Sequence, residues 1–270
     1  MKRGWIQGDG PRLAYVDFGG EGQSLLLLHG LFGRATTWHE TARWLTPHFR
    51  VVGLDQRGHG LSDKPAQGYS MEQYVADAER AITKLGLGPT VIIGHSMGAL
   101  IAWLLAARRP DLVRGLVLVD MTPATTQPGD GARVTNWLDT WLDTWPVPFA
   151  SMADVRTYFA SLRPGLADYF VEVMTEADDG YRPLFQTEHM RQSATAIDEK
   201  DWWSELAQVQ CPTLVVRGSE SEFRRDELQR MAQAIPGAAY TEVDGAHHTV
   251  AHDQPERWRA AVEPFLLHLT

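Results

Sequence analysis

The chain has 270 residues and a net charge of −9, from 25 Lys and Arg against 34 Asp and Glu, with a single cysteine, Cys211. One cysteine excludes an intrachain disulfide and fits a reducing compartment, and without a basic stretch no nucleic-acid partner is expected. The N-terminal MKRGWIQGDGPR carries no apolar h-region and no apolar run approaches a bilayer span, so neither a signal peptide nor a membrane partner is expected, and a soluble, cytoplasmic protein is.

In chain order, the first strong signal is LLLLHGLFGR at 25–34. Residues 25–28 form an apolar run without alternation, the pattern of a strand covered on both faces. It ends in His29-Gly30. The turn Leu31-Phe32-Gly33 then offers a backbone N–H to developing negative charge. Leu31 is the first choice for that donor and Phe32 the second, and Phe32 is also a candidate substrate contact. His29 reads as a brace for the loop, not as a base. A second apolar run at 51–54 leads into DQRGHGLSD at 55–63. Residues 70–85 are amphipathic, and Ser70 with Gln73 fits a capping box.

A third buried run at 91–93 enters Gly94-His95-Ser96-Met97-Gly98, and a helix follows over 97–108 until Pro110 stops it. This is G-x-S-x-G between a strand and a helix, the context of a nucleophile elbow. Residues two before and two after the serine crowd each other in so tight a turn, so both are glycine. The turn lifts Ser96 Oγ above the sheet at a helix N-terminus, where the Met97 N–H is a second oxyanion donor. His95 points back and packs.

The run at 116–119 ends on Asp120. A charge there either caps the turn through Thr122 or a backbone N–H, or serves chemistry. From 123 to 200 the rhythm breaks, with almost no buried-strand signal and many aromatic and acidic residues. WLDTWLDTW at 137–145 spaces Trp137, Trp141 and Trp145 four apart, on one helix face ended by Pro146 and Pro148. These tryptophans are read as the core of a helical insert; the sharper reading has one or two of them lining a substrate pocket. Asp130, Asp139, Asp143, Asp154, Asp168, Glu172, Asp178 and Asp179 read as a solvated face that also disfavours polyanions. A further strand at 213–216 precedes VVRGSESEF, and helices follow at 225–235 and 256–267. Between those helices GAHHTVAHDQPERW holds adjacent His247 and His248; His252 and His268 are read as surface residues. The strand–helix alternation predicts an α/β fold with a mostly parallel central sheet flanked by helices.

Four of these motifs, in this order, resemble the α/β-hydrolase superfamily over nearly the whole chain. HGLFG is similar to its oxyanion turn, DQRGHGLSD to a structural turn after the next strand, GHSMGA to its elbow, and GAHHTVAHDQPERW to its histidine loop and last helix. The resemblance implies a core over 1–122 and 201–270 with a helical cap inserted at 123–200. It implies Ser96 as nucleophile. In the family's loop the base stands seven residues before the proline, which points to His248; His247 then holds a place usually taken by glycine and is the alternative base. Most relatives carry the triad acid three residues after a glycine that ends the later strand. Here that residue is Ser221, flanked by Glu220 and Glu222. Some branches, haloalkane dehalogenases and certain small bacterial esterases among them, carry the acid after the strand that follows the nucleophile helix. Asp120 stands there, 24 residues after Ser96, and is the expected acid, with Glu222 as fallback.

A serine nucleophile excludes the alkyl-enzyme chemistry of dehalogenases and most epoxide hydrolases, which need a carboxylate to attack carbon, and suits acyl transfer. The resemblance implies a carboxylesterase-like serine hydrolase on a small to medium apolar ester substrate, with no metal or organic cofactor expected. A lactone or a carbon–carbon bond is an alternative substrate for the same triad. A small-molecule receptor with a slow residual triad is the reading from another class.

Overall fold

A computed structural model of the chain describes residues 1–123 and 134–270, apart from the side chains of residues 135–137 and 139. The strands are β1 (Lys2–Ile6), β2 (Leu13–Gly19), β3 (Gln23–Leu28), β4 (Phe49–Leu54), β5 (Thr90–His95), β6 (Val113–Val119), β7 (Met174–Ala177), β8 (Gly180–Pro183), β9 (Thr213–Gly218) and β10 (Ala239–Val243). The helices are α1 (His39–Leu45), α2 (Met71–Leu85), α3 (Met97–Arg108), α4 (Val134–Leu142), α5 (Met152–Leu162), α6 (Pro164–Val171), α7 (Thr187–Ile197), α8 (Trp203–Leu206), α9 (Arg225–Ala234), α10 (Val250–Asp253) and α11 (Pro255–Leu267).

Eight strands form one sheet in the order β1-β2-β4-β3-β5-β6-β9-β10. The six from β4 to β10 run parallel, and β1 and β2 are antiparallel at one edge. The five apolar runs of the sequence fall within β3, β4, β5, β6 and β9. Strands β1 and β10 escaped that reading because they are edge strands with mostly exposed or half-buried residues, and β2 because its C-terminal half is only half-buried.

Successive strand residues face opposite sides, so an uninterrupted apolar run serves two cores. Leu25 and Leu27 of β3 pack with Trp38, with α1 through Ala42 and Leu45, and with α11 through Trp258 and Val262. Leu26 and Leu28 pack with α2 through Tyr74 and Val75 and with α3 through Leu100 and Trp103. Helix α3 is buried from Met97 to Ala106, which explains its all-round apolar sequence. Helix α2 starts in the capping box: the Gln73 N–H donates to Ser70 Oγ and the Ser70 N–H to Gln73 Oε1 at 3.2 Å.

Between β6 and β9 the chain leaves the sheet. The Trp202 N–H donates to the Pro123 carbonyl at 2.8 Å and ties the two ends of this segment together. The segment holds α4 to α7, and also the antiparallel hairpin β7–β8, which adds two strands to an insert expected to be helical. Both strands have four residues, mostly exposed or half-buried, so no buried run marks them. A correction concerns the tryptophans. Helix α4 ends at Leu142, and Trp145 lies in the turn beyond, its N–H on the Leu142 carbonyl at 3.1 Å. Trp141 and Trp145 still meet edge-on, 4.8 Å between ring centres, through that turn and not through a shared helix face. The side chains of Trp137 and Asp139, and Asp130 altogether, lie outside the described residues. Asp143, Asp154, Asp168, Asp178 and Asp179 are exposed. No helix among the described residues is long and apolar enough to cross a membrane.

At Gly98 the backbones of α3 and β3 approach closely, and an added Cβ would lie 2.3 Å from the Leu28 carbonyl oxygen. Gly98→Ala therefore forces α3 off β3, and a urea melt is expected to lose roughly 2 kcal/mol or more of stability, the scale of overpacking. An unchanged melt would contradict this packing.

Candidate active site

Three non-glycine residues among those described have a left-handed backbone: Phe32 (φ 70°), Ser96 (φ 52°) and Asp120 (φ 50°). Such conformations cost of order 1–3 kcal/mol each and persist only where the surroundings enforce them. All three follow the C-terminal ends of adjacent parallel strands, β3, β5 and β6, the edge of an open α/β sheet where ligands bind.

At Ser96 the turn is enforced from both sides. A Cβ on Gly94 would lie 2.3 Å from the Gly98 carbonyl oxygen, so the chain crosses itself more tightly than side chains permit. The Ser96 N–H is held by the Val119 carbonyl at 2.8 Å. Ser96 heads α3 as its first flanking residue and is half-buried. The oxyanion-like turn lies directly against it: a Cβ on Gly30 would be 3.1 Å from Ser96 Cβ. Among the described residues the N–H groups of Leu31 and Met97 have no hydrogen-bond acceptor, so both remain available to an incoming oxygen.

Asp120 is fully buried. Its Oδ2 accepts Nδ1–H of His248 at 2.8 Å and the Ser221 hydroxyl at 2.6 Å; its Oδ1 accepts the Gly218 N–H at 3.1 Å. With Nδ1 donating to a carboxylate, the Nε2 lone pair of neutral His248 is left to take a proton. Burial lowers the basicity of His248, but the hydrogen bond to Asp120 and the charges of Glu222 and Asp120 outweigh it and hold the pKa above the ordinary histidine value. Glu222 is exposed and makes no hydrogen bond to that ring. His247 contributes its backbone N–H to Asp253 Oδ2 at 3.1 Å, and its ring does not meet Asp120.

Sequence reasoning gave Ser221 no role, yet it fills the slot where most relatives hold the acid and donates to the acid that stands elsewhere. A short hydroxyl residue in that slot, beside an acid at the end of the neighbouring strand, is the signal that finds it. His95 was expected to pack. It is buried, and its Nε2 also donates to the His248 carbonyl at 2.8 Å, joining the elbow to the histidine loop. Burial drives the His95 pKa well down, so the ring is neutral. From the other side Asp253 straddles His248: Oδ2 accepts the His247 N–H and the Thr249 hydroxyl at 3.0 Å, while Arg163, between α5 and α6, donates to Thr249 Oγ1 at 3.2 Å. His29 braces its loop: Nδ1 donates to the Gly30 carbonyl at 2.8 Å, Nε2 accepts the Gln56 N–H at 3.1 Å, and burial pulls its pKa down to about 4. His268 is exposed. His252 is a correction: it is half-buried, because α10 turns it inward to meet Tyr169 of α6 edge-on at 5.1 Å.

Phe32 is buried beneath an aromatic wall. Its ring centre lies 5.4 Å from Trp141, 6.3 Å from Trp145, 6.5 Å from Phe170 and 5.1 Å from Phe185. Among the described residues the buried Trp145 indole N–H has no acceptor.

Comparison with known proteins agrees with this architecture. Residues 23–164 match the family of the alpha/beta hydrolase fold. The 2-(acetamidomethylene)succinate hydrolase of Mesorhizobium japonicum is 30% identical over 253 residues, 92% of this chain and 89% of that protein. The sn-1-specific diacylglycerol lipase ABHD11 of Mus musculus is 30% identical over 258 residues, 90% of this chain and 80% of that protein. A crystal structure of E-2-(acetamidomethylene)succinate hydrolase superposes with a TM-score of 0.87 at 27% identity, covering 98% of both chains. The chain belongs to the alpha/beta hydrolase fold family and is a hydrolase.

Proposed function

We propose that the protein is a serine hydrolase that cleaves a small to medium carboxylic ester, open or closed as a lactone, through an acyl-enzyme on Ser96. The observation that carries this reading is the Asp120–His248 hydrogen bond at 2.8 Å, made at the strand ends where the strained Ser96 turn stands. In this reading His248 Nε2 takes the Ser96 proton as Oγ attacks the carbonyl carbon. Asp120 steadies the imidazolium. The oxyanion rests on the N–H groups of Leu31 and Met97. The alcohol leaves with the proton from His248, and water activated by the same ring releases the acid and frees Ser96. The segment between β6 and β9 acts as a cap, and Phe32, Trp141 and Trp145 line the apolar part of the substrate site. A relative that is a diacylglycerol lipase supports an ester bond.

A panel of p-nitrophenyl esters and lactones tests the reading. Turnover is expected, and Ser96→Ala is expected to abolish it; no Ser96-dependent turnover on any member would favour a small-molecule receptor. Asp120→Asn leaves the imidazole in the wrong tautomer and should lose about 10³–10⁴-fold in kcat. Ser221→Ala removes a hydrogen bond to a carboxylate, in the range of about 1.5–3 kcal/mol, so kcat/KM should fall roughly tenfold or more. A Ser221→Ala enzyme as fast as wild type would contradict the role given to that hydroxyl.

The raised pKa of His248 has a pH signature. The base works only when neutral, so kcat/KM should rise with pH through a value above the ordinary 6.5 of histidine and then level off. Glu222→Gln deletes one charge that favours the imidazolium, so the rising limb should move to lower pH while the plateau stays. A limb that moves to higher pH in that variant would contradict the electrostatics described.

A further inference from the structure

We propose that Arg34 binds a carboxylate of the substrate, so that the preferred ester carries an acidic group away from its scissile carbonyl. The inference rests on the Ser96 reading for where that carbonyl sits. Arg34 directly follows the turn that offers the Leu31 N–H, and it is only 8% exposed. Two other buried arginines each face a carboxylate: Arg57 meets Asp77 at 2.6 Å, and Arg217 approaches Glu242 to 3.9 Å. Among the described residues Arg34 meets none. Among the described residues its one side-chain hydrogen bond runs from Nη1 to the Glu172 carbonyl at 3.1 Å, and its buried Nε has no partner. Asp55 takes the Ala35 N–H on Oδ1 at 2.6 Å and the Leu61 N–H on Oδ2 at 2.8 Å, and among the described residues it makes no hydrogen bond to the Arg34 guanidinium.

A buried guanidinium without a counter-ion costs several kcal/mol, and protein interiors seldom keep one without a use. Two further basic groups, His189 and Lys64, are buried or half-buried. His189 of α7 is 5% exposed, stacks on Tyr69 at 5.0 Å between ring centres, and among the described residues has an unpartnered Nδ1. Lys64 is half-buried with its ammonium on the Gly60 and Ser62 carbonyls at 2.8 and 3.1 Å. Burial, with the Arg34 charge adding to it, lowers the Lys64 pKa; burial lowers that of His189, with Lys64 adding. Asp55 and Asp63 offset the positive charge at Lys64 and Glu188 does so at His189, whereas the Arg34 guanidinium itself has no carboxylate hydrogen-bonded to it among the described residues. A guanidinium fork matches a planar carboxylate.

The position suits a substrate. Arg34 stands four residues beyond Gly30, which lies against Ser96, and its Nη1 reaches the carbonyl that follows α6, the helix whose Phe170 faces Phe32. An ester would lay its apolar body along Phe32 and its acid at Arg34. This departs from the apolar ester expected from the sequence. Of the acids at 123–200 read as disfavouring polyanions, Asp143, Asp154, Asp168, Asp178 and Asp179 are exposed, whereas Glu172 is half-buried and meets Arg34 through its backbone carbonyl, not its carboxylate.

The test compares two probes of matched length, p-nitrophenyl valerate and the mono-p-nitrophenyl ester of glutaric acid. Wild type is expected to favour the glutarate ester in kcat/KM. In Arg34→Met that ratio should fall about tenfold or more, and Arg34→Lys should restore part of it. Preference for the valerate ester, or a ratio that Arg34→Met leaves unchanged, overturns the inference. If neither probe turns over through Ser96, the hydrolase reading fails instead, and glutarate itself then decides the site: a thermal shift in wild type that is lost in Arg34→Met upholds it, and no shift in wild type overturns it. Should Arg34→Met not fold, Arg34→Lys decides: a ratio below that of wild type upholds the inference, and an unchanged ratio overturns it.

Discussion

The hydrogen bond between the buried Asp120 carboxylate and His248 Nδ1 is the contact on which the site depends. An ionised carboxylate in a core is costly unless its lone pairs are taken up. Asp120 meets that need with donors from two separate stretches: the His248 ring, and the Ser221 hydroxyl with the Gly218 N–H. Each donor depends on strand pairing. Because β6 pairs in parallel with β9, Asp120 and the end of β9 emerge side by side, and the Asp120 N–H bonds the Val216 carbonyl at 2.8 Å. Gly218 is glycine because the histidine loop passes against it; a Cβ there would lie 2.3 Å from the His247 carbonyl oxygen. The acid is therefore held by the sheet, and the base is held by the acid.

The rest of the site is arranged about that bond. The backbone of His248 is fixed through its carbonyl by His95 and through its neighbours by Asp253. His95 is adjacent to Ser96, so the elbow and the base share one brace. Asp253 faces Arg163 at 3.4 Å, which joins the histidine loop to the segment that packs its aromatic wall over Phe32. A displacement of that segment is thereby felt at the base as well as at the substrate wall. Strain is concentrated where chemistry is proposed, at Phe32, Ser96 and Asp120, and the two-sided cores of β3, β5 and β6 supply the packing that sustains it.

Much of this was legible in the sequence because apolar runs and glycines report directly on physical constraints. The runs at 25–28, 51–54, 91–93, 116–119 and 213–216 are apolar because both faces of their strands are covered. Gly94 and Gly98 announce a turn no side chain fits. Other features left no such mark. The hairpin β7–β8 is short and half-exposed, so it lacks a buried pattern. Trp145 sits four residues after Trp141 as in a helix, but the chain turns after Leu142, and spacing alone does not distinguish the two. Ser221 and Asp253 act through hydrogen bonds set by tertiary contacts, which composition and periodicity do not encode. Arg34 is a surface residue by type; only its burial, and the lack of a facing carboxylate, give it significance.

The most direct measurement is a crystal structure of the protein after reaction with a phosphonate ester. The account predicts phosphorus bonded to Ser96 Oγ and the phosphoryl oxygen within about 3 Å of the Leu31 and Met97 N–H groups, with His248 Nδ1 still on Asp120. An adduct on another residue, or a His248 ring turned away while Asp120 keeps only Ser221 and the Gly218 N–H, would contradict it.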